Sequence, residues 1–378
     1  MKTYEEYKVS GVKWLGKVPK HWEICRFKDF ISLQTQTSLS ENKIGLENIE
    51  CATGKFIETN SEFEGNGIAF DVGDVIYGKL RPYLKKVWLS TFNGNAVGDF
   101  FVFRAKNTNS ASYIRYVMLS DGFTKEADGS TFGTKMPRVS SNFIMSMRYF
   151  LPPPFEQQAI ADYLDAKTEK MDQMIAKAEK KIEYLGELKQ SLITRAVTRG
   201  LNPNTPLKDS GVNWIGNIPM HWDIACLRFF LRLINGRAYS QNELLPSGKY
   251  KVLRVGNFFT NDSWYYSNME LEPDKYCDKD DLLYAWSASV GPYIWNEAKT
   301  IYHYHIWKVQ LATSMDKMYS YYLLRAVTNQ KMSDMHGSTM MHITMGDMNK
   351  TKIPIPPLSE QQQIATYLDT KCSKIDHI

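Results

Sequence analysis

The sequence predicts an α+β protein in which two β-rich domains are separated by long helices of the coiled-coil type. Residues 10–24 return in closely similar form at residues 210–224, and residues 152–165 return at residues 356–369. A long run with helical periodicity follows the second of these segments. Repeat units of solenoid proteins are roughly 20–50 residues long, so a repeat about 200 residues apart indicates two whole domains. The chain is therefore expected to have an internal pseudo-two-fold repeat.

The first domain is predicted to span residues 1–152, with mostly β structure and short helices. Residues 72–78 and 100–104 are short, β-rich runs bounded by Gly, Asn and Asp, as expected of strands that end in turns. Residues 112–118 predict one short helix. A second domain at residues 201–356 repeats this order, with residues 280–285 matching the earlier strand. Between these matching segments the two sequences differ, which is typical of two domains that share one fold and carry different binding surfaces.

A long spacer helix is predicted within residues 153–200. Apolar residues recur there at intervals of seven, with charged residues between them, which is typical of a helix that packs beside another helix. About 43 residues at a rise of 1.5 Å would give a rod of roughly 64 Å. Prolines precede the run, and Gly200, Pro203 and Pro206 follow it as stop signals. The residues expected to dock a partner helix are Leu164, Met171, Ile175, Ile182, Leu185, Leu188 and Leu192.

A second, shorter spacer helix is predicted at residues 357–378. Ser359 with Gln362 three residues later predicts a capping box at its start. The offset of the repeat matches this helix to the first part of the longer one and leaves residues 175–198 without a counterpart. The short helix is expected to pair with one end of the long helix and to leave an exposed stripe, including Leu185, Leu188 and Leu192, for a partner.

Composition excludes several classes of protein. The chain has 378 residues, a net charge of +5 and a pI near 8.7, which is compatible with a polyanionic partner without requiring one. Five widely spaced cysteines without a CxxC pair favour reduced thiols. The N-terminal residues do not resemble a signal peptide, and no run of 18 apolar residues is present. A cytoplasmic protein with no membrane association is expected.

Catalytic and metal-binding motifs are not found. The sequence contains no phosphate-binding glycine loop, HExxH, GxSxG or cysteine–histidine metal spacing. His303 and His305 alternate in a way that would place both on one face of a strand, where a structural role is favoured over metal binding. Residues 151–155 resemble the amine-binding motif of amino-methyltransferases but lack its initial Asn or Asp. We therefore expect no enzymatic activity and no cofactor.

The repeated motifs resemble those of the specificity subunits of type I restriction–modification systems. Each half opens with Gly-x-x-Trp-x-Gly-x-x-Pro-x-His-Trp, at residues 11–22 and 211–222, and each helix begins with Glu-Gln-Gln. Residues 77–86 are similar to a stretch of many target-recognition domains in that family. The resemblance covers nearly the whole chain. It implies two target-recognition domains separated by an antiparallel pair of helices, each reading half of a bipartite DNA site through the major groove.

The resemblance also implies partners. Besides double-stranded DNA, these are two modification (methyltransferase) subunits, which dock on the helices, and restriction subunits, which carry the motor and nuclease. Two alternatives stay open. One is a stand-alone DNA-binding or decoy protein of the same fold, and the other is a structural coiled-coil adaptor whose domains bind proteins.

The residue types of several loops independently fit DNA binding, which needs cations for phosphates and hydrogen-bonding groups for base edges. A basic Gly- and Pro-containing loop follows an apolar strand in the first half, and a loop rich in small residues lies further on. The matching loops of the second half are less charged, so the two halves are expected to read different sequences. The candidate DNA-binding residues are Lys79, Arg81, Lys85, Lys86, Thr131, Thr134, Lys135, Arg138, Trp286, Ser287, Ser289, Ser338, Thr339 and His342.

Overall fold

The chain folds into two compact units joined by one continuous helix. In a computed structural model, the described residues are 4–12, 14–38, 41–133, 135–259, 261–334 and 342–378. Unit 1 comprises Met1–Ala176 and unit 2 comprises Lys177–Ile378. Helix α5 runs from unit 1 into unit 2. The mixture of short strands and helices on either side of this long helix confirms the predicted α+β class.

Unit 1 consists mainly of short strands. The strands are β1 Tyr7–Val9, β2 Lys17–Pro19, β3 Glu23–Arg26, β4 Ile31–Gln34, β5 Thr37–Ser38, β6 Lys43–Ile44, β7 Gly67–Phe70, β8 Val75–Gly78, β9 Val87–Leu89, β10 Gly94–Ala96, β11 Phe100–Ala105 and β12 Arg148–Leu151. The helices are α1 Phe27–Phe30, α2 Ala111–Leu119, α3 Asp121–Gly129, α4 Ser141–Ser146 and α5 Pro154–Arg199. Helix α2 and strands β8 and β11 lie where the sequence predicts a helix and two strands.

Unit 2 repeats this order with different lengths. Its strands are β13 Leu207–Asp209, β14 Asn217–Pro219, β15 Asp223–Cys226, β16 Leu231–Asn235, β17 Tyr250–Leu253, β18 Tyr265–Ser267, β19 Tyr276–Cys277, β20 Leu282–Ala285, β21 Gly291–Ile294, β22 Thr300–Tyr302, β23 Ile306–Leu311 and β24 Lys352–Ile355. Its helices are α6 Lys317–Asp334, α7 Met345–Lys350 and α8 Leu358–Asp376.

The larger sheets of the two units have one topology. The strand order is β4-β11-β8-β9 in unit 1 and β16-β23-β20-β21 in unit 2, with antiparallel neighbours throughout. The smaller sheets differ at their edges, since β5 pairs with β7 whereas β18 pairs with β17. The internal repeat is therefore a structural one, and the units differ where their sequences diverge.

Each larger sheet packs its buried side chains against helices of its own unit. In unit 1, Val75 and Tyr77 of β8 and Phe103 of β11 share a cluster with Ile114 and Met118 of α2. In unit 2, Leu282 and Tyr284 of β20 share a cluster with residues of α6. Alternate residues of each strand enter this cluster, as the pleat of a strand requires. Loops follow β8 and β20 at the ends of these strands.

Helix α5 agrees with the predicted spacer helix in position and length. It ends at Arg199, and Gly200 follows with φ +69°, a left-handed conformation that glycine adopts without steric cost and that commonly ends helices. The predicted capping box of the second helix is wrong. The N-cap of α8 is Pro357, and no side chain caps the helix, because the chain turns into the helix two residues before Ser359.

Within unit 2, α8 lies antiparallel to the last turns of α5. The Lys189 ammonium lies 2.6 Å from the Asp376 carboxylate near the end of α8. At the other end, the Trp222 indole donates to Glu360 in the first turn of α8 and lies against Gly200. The antiparallel helix pair implied by the sequence resemblance is confirmed in this region.

The apolar stripe of α5 is exposed only in its middle. Met171, Ile175, Ile182 and Leu188 are exposed there. Leu164, Leu185 and Leu192 are half-buried, and Leu192 lines a groove with Tyr367 of α8. The expectation that Leu185 and Leu192 belong to an exposed stripe is therefore wrong, because α8 lies along the end of α5 that contains Leu192.

The first repeated residue of the two helix starts is a glutamate that fastens each helix to the opening motif of its unit. Glu156 accepts hydrogen bonds from the Trp22 indole at 3.0 Å and from Tyr4 at 2.8 Å, and His21 Nε2 lies 2.5 Å away. Burial alone would raise the pKa of Glu156, but the bonds from Trp22, His21 and Tyr4 outweigh it and lower the pKa. The carboxylate therefore stays ionised.

Unit 2 repeats this arrangement with the same residue types. Glu360 accepts from the Trp222 indole at 3.0 Å, and His221 Nε2 lies 2.6 Å from its carboxylate. The histidine–tryptophan pair and the glutamate are therefore partners in both units, which gives the two repeated segments of the sequence one shared structural role.

The next repeated residue is a buried glutamine. Gln361 is fully buried; its amide donates to the carbonyls of Pro356 and Ser314 at 2.9 and 3.0 Å, and its oxygen accepts from the Asp316 backbone at 2.8 Å. Gln157 makes the equivalent bonds in unit 1, to Pro152 and to the loop before α2. Each glutamine thus ties the start of its helix to the loop that precedes the packing helix.

Replacing Gln361 with leucine is expected to lower the free energy of unfolding of unit 2 by about 2–4 kcal/mol, because a buried amide that bonds three backbone groups is lost. A urea titration followed by circular dichroism would measure the loss. The matched control is Gln362→Leu, whose exposed side chain makes no hydrogen bond among the described residues, and a change below about 0.5 kcal/mol is expected there. Equal losses in both variants would contradict this role of Gln361.

No helix in the described ranges is long and apolar enough to cross a membrane. All five cysteines are free thiols, and only Cys51 is exposed.

Candidate nucleic-acid interface

In unit 1, the basic loop at residues 79–86 connects β8 to β9 and meets two other segments. The Lys79 backbone donates to the Asp99 carbonyl at 2.9 Å, and the Val139 backbone donates to the Lys79 carbonyl at 3.1 Å. Leu80 also forms a β-bridge with Arg138. Residues far apart in the sequence therefore converge at the end of β8, where the loop joins the turn before β11 and the segment before α4.

One carboxylate organises the cations of this site. Arg138 donates to Asp99 through two nitrogens, at 2.9 and 3.2 Å, and Lys79 Nζ lies 3.6 Å from the same carboxylate. Burial would raise the pKa of Asp99, but Arg138 and Lys79 outweigh it and lower the pKa. Two cations share one anion, so the cluster keeps a net positive charge and both side chains are held in place.

Arg81 is the most accessible cation of the loop. Its backbone has φ +52°, a left-handed conformation that is uncommon for residues other than glycine and that clusters at functional sites. A backbone hydrogen bond of 2.8 Å to the Pro137 carbonyl holds it there. Its side chain is exposed and has no ion pair or hydrogen bond among the described residues. The nearby side chains of Tyr83, Phe132 and Met136 are also exposed.

Three of the other candidate residues are engaged inside unit 1. Lys85 forms an ion pair with Asp121, and Lys86 Nζ donates to the carbonyls of Leu46 and Ile49 at 2.6 and 2.8 Å. The Thr131 hydroxyl donates to the Asp128 carbonyl at 2.8 Å, at the end of α3. These bonds hold the loop and the helix end in shape. Lys135 is exposed, and Thr134 lies outside the described residues.

The equivalent loop of unit 2 lies at the same place with different chemistry. The Trp286 backbone donates to the His305 carbonyl at 3.1 Å, and the Ile343 backbone donates to the Trp286 carbonyl at 2.9 Å. These two bonds match those of Lys79 in unit 1, so the predicted equivalence of the two loops is confirmed. The Trp286 indole donates to the Tyr304 carbonyl at 2.7 Å, which fixes the ring within the loop.

The remaining candidates of unit 2 surround this tryptophan. Ser287 forms a β-bridge with His342, which is exposed, and Ser289 is exposed at the tip of the loop. Ser338 and Thr339 lie outside the described residues. This surface offers hydroxyl, imidazole and aromatic groups where unit 1 offers ammonium and guanidinium groups.

The prediction that His303 and His305 lie on one face of a strand is wrong. Strand β22 ends at Tyr302 and β23 begins at Ile306, so both histidines lie in the turn between them. Burial, with His305 and Arg254 nearby, lowers the pKa of His303 to about 4, so its ring is neutral at physiological pH. Within the described part of the chain, no group of side chains has the composition and arrangement of a metal site.

Two further positions of the candidate site are not among the residues predicted from the sequence. Asp99 organises the cations of unit 1, and the partly exposed Tyr304 occupies the equivalent turn of unit 2, packed between His303 and His305. Both lie in the turn before the central strand of the larger sheet. The sequence signal that could have identified them is weak. It consists of a polar or aromatic residue in the turn before a strand, where that strand pairs with the strand that precedes the candidate loop.

The family model for the type I restriction modification DNA specificity domain matches residues 219–377. The MjaVIII specificity subunit of the type I restriction enzyme from Methanocaldococcus jannaschii is 23% identical to this chain, with 97% of this chain and 90% of the relative aligned. These matches indicate a type I specificity subunit. The EcoDI specificity subunit of Escherichia coli is 25% identical to it over 49% of this chain and 43% of the relative.

Solved structures share the fold of this chain. One chain, from work on the structural basis underlying complex assembly and conformational transition of the type I R-M system, superposes with a TM-score of 0.74 at 20% identity. The match covers 95% of this chain and 92% of the other. The HsdS subunit from Thermoanaerobacter tengcongensis superposes with a TM-score of 0.58 at 19% identity. This match covers 100% of this chain and 93% of the HsdS chain.

Proposed function

We propose that this chain is the specificity subunit, and thus the sequence-specific DNA-binding component, of a type I restriction–modification complex. Each unit reads one half of a bipartite target through the major groove, and catalysis is left to partner subunits. One observation carries the proposal. Two loops, at residues 79–86 and 286–290, follow equivalent strands of the two larger sheets, make equivalent backbone hydrogen bonds, and differ in length and in chemistry.

The loop of unit 1 suits DNA because its cations are both ordered and available. Arg138 and Lys79 are preoriented by Asp99, so little side-chain entropy remains to be lost on binding. Arg81 projects from a backbone held by Pro137 and has a guanidinium free to form a bidentate pair with guanine or to bind a phosphate. The exposed Tyr83 and Phe132 beside it fit apolar contacts such as the thymine methyl group.

The loop of unit 2 suits a different half-site. Ser287, Ser289 and His342 are hydrogen-bonding groups without a permanent charge, and Tyr304 adds an aromatic surface. Fewer phosphate contacts are expected here, so recognition by this unit should depend less on salt than recognition by unit 1.

The middle of α5 is the proposed docking surface for modification subunits. Its exposed apolar residues Met171, Ile175, Ile182 and Leu188 form the kind of seam that takes another helix. Two modification subunits per specificity subunit are expected from the repeat, and the restriction subunits complete the complex.

Selection of duplexes from a random library tests the DNA-binding proposal directly. The purified chain, or its complex with a modification subunit, should enrich two short sequences at a fixed separation. Binding should weaken steeply with salt, because each neutralised phosphate releases counterions and adds about −0.9 to the slope of log K against log salt. The chain alone should transfer no methyl group from S-adenosylmethionine. Enrichment of no sequence, or methyl transfer by the lone chain, would contradict the proposal.

A further inference from the structure

Two exposed apolar side chains lie beside the cations of unit 1. Phe132 is 62% exposed and Met136 is 52% exposed. Both belong to the segment between α3 and α4, as does Lys135, which is exposed and has no ion pair or hydrogen bond among the described residues. Exposed apolar groups that cluster on one surface are typical of an interaction site.

The backbone fixes Phe132 beside the cation cluster. Phe132 and Arg138 exchange two backbone hydrogen bonds, each of 3.1 Å. Gly133 follows with φ +93°, a conformation that glycine adopts without steric cost, and a Cβ at this position would lie 3.3 Å from the Met136 carbonyl. The Arg138 guanidinium is in turn bonded to Asp99. The phenyl ring is therefore exposed but carried by a well-supported backbone.

The distance from Phe132 to the basic loop follows from the pairing of three segments. Arg138 forms β-bridges with both Leu80 and Phe132, so it lies between them. Neighbouring strands are about 4.8 Å apart, which places Phe132 roughly 10 Å from the backbone of the loop. One turn of DNA spans about 34–36 Å and 10–10.5 base pairs, so this distance corresponds to about three base pairs. The ring would therefore meet DNA beside the base pairs within reach of Arg81.

We propose that Phe132 inserts between two stacked bases of the half-site that unit 1 reads and locally kinks the duplex. The insertion rests on the proposed DNA-binding function and adds a deformation of the DNA to it. Proteins that kink DNA do so with apolar wedges such as Phe and Met, which unstack a base step. Pyrimidine–purine steps are the most easily unstacked, so a TA or CA/TG step is expected about three base pairs from the base that Arg81 contacts.

Charge favours a base step over an apolar protein partner as the occupant. The cations of this surface are Lys79, Arg81, Lys135 and Arg138, and Arg138 and Lys79 share one carboxylate. A protein that covered Phe132 would remove water from these charges at a cost in free energy. The phosphates on either side of a base step would neutralise them and release counterions.

Unit 2 differs at the equivalent position of the sequence. Residues 337–343 match residues 133–139, which puts His336 where unit 1 has Phe132. His336 lies outside the described residues, so the comparison is one of sequence. An imidazole is polar and loses more hydration than a phenyl ring on entering a base stack. Unstacking is therefore expected in the half-site of unit 1 alone.

Fluorescence of 2-aminopurine tests the insertion with the full chain, alone or in complex with a modification subunit. The probe replaces each adenine of the selected target in turn, and its fluorescence should rise at one step of the unit 1 half-site when the parent chain binds. Phe132→Ala should abolish this rise and weaken binding about tenfold, as expected for the loss of one base–aromatic stacking contact. Phe132→Trp should keep the rise. A base extruded by a methyltransferase would still fluoresce in Phe132→Ala.

The matched control is Phe155→Ala, which removes a 74% exposed phenyl ring from the start of α5 and should change neither affinity nor fluorescence. A change in the DNA gives an independent measurement. Replacing the unstacked step with an AA step, which is stiffer, should weaken binding of the parent chain more than binding of Phe132→Ala.

Selective DNA binding without a rise at any position would overturn the insertion and leave the proposed function standing. Absence of selective binding, both by the chain and by its complex, would overturn the two together. A loss of affinity on replacing thymine with deoxyuridine that depends on Phe132, without a rise, would put the ring against a thymine methyl group and overturn the insertion. Loss of the modification subunit from Phe132→Ala, with DNA affinity and fluorescence unchanged, would identify a protein as the occupant and overturn it as well.

Discussion

Replacing Lys79 and Arg81 together with alanine is expected to weaken recognition of one DNA half-site by about a hundredfold and to leave the other half-site unchanged. Each cation that contacts a phosphate or base edge contributes about 1–3 kcal/mol. Arg81 is exposed and unpaired among the described residues, and Lys79 shares its carboxylate with Arg138, so neither loss should disturb the core of unit 1. Both residues belong to unit 1 alone.

Binding titrations at several salt concentrations separate the two kinds of contact. If a cation contacts phosphate, its loss lowers affinity for all sequences and reduces the salt slope by about one; if it contacts a base, the preference at one position relaxes. The matched control is the double variant Lys17→Ala and Lys28→Ala, which removes the same charge from exposed positions outside the loop. Equal losses at both half-sites, or equal effects of the control, would show that this loop is not the reader.

The position of α5 and the equivalence of the two units could be predicted from sequence because they depend on local sequence patterns. Heptad spacing and Gly200 together determine where α5 lies, and the repeated His-Trp and Glu-Gln-Gln segments identify equivalent parts of the units. The bond between Trp22 and Glu156 explains the repetition of both segments, but it joins residues 134 positions apart. Nothing in the local sequence indicates such a partner, and only the folded chain brings the two together.

The site was only partly predictable for a similar reason. Lys79, Lys85 and Lys86 are indistinguishable in sequence, yet Lys86 is committed to two backbone carbonyls and Lys85 to Asp121. Which lysine is available depends on the register of β8 with its neighbours and on the left-handed residues in the loop. Asp99 was missed because the pairing of β8 with β11 brings it beside Lys79.

The capping box failed because the sequence pattern fits a helix start two residues later than the real one. Pro357 has the extended backbone that precedes a helix, so the chain begins α8 at Leu358. Glu360 then faces His221 and Trp222 rather than the backbone of its own first turn. The helix start is therefore held by the tertiary contact of Glu360 with His221 and Trp222, and not by a local capping bond of Ser359.

Inserting one heptad beside Ala178 is expected to abolish tight binding at the original target spacing and to create a preference for a longer spacer. Seven residues add about 10.5 Å to a helix, which corresponds to roughly three base pairs. Ala178 lies in the exposed middle of α5, away from the clusters of both units, so each unit should fold as before. A heptad nearly completes two helical turns, so the apolar stripe stays on one face.

Selection from a library with two fixed half-sites and a variable spacer would measure the shift. The half-site sequences should not change, because no loop residue is altered, whereas affinity at the old spacing should fall toward that of a single half-site. The control replaces seven exposed residues around Ala178 with another helical heptad and keeps the length. A spacer preference that is the same in the insertion, the replacement and the parent would mean that α5 does not set the distance between the half-sites. A half-site preference that changed with the length of α5 would instead mean that the units do not read DNA independently. A stiff helix sets only the distance between the two units, so lengthening it should not change which bases each unit prefers.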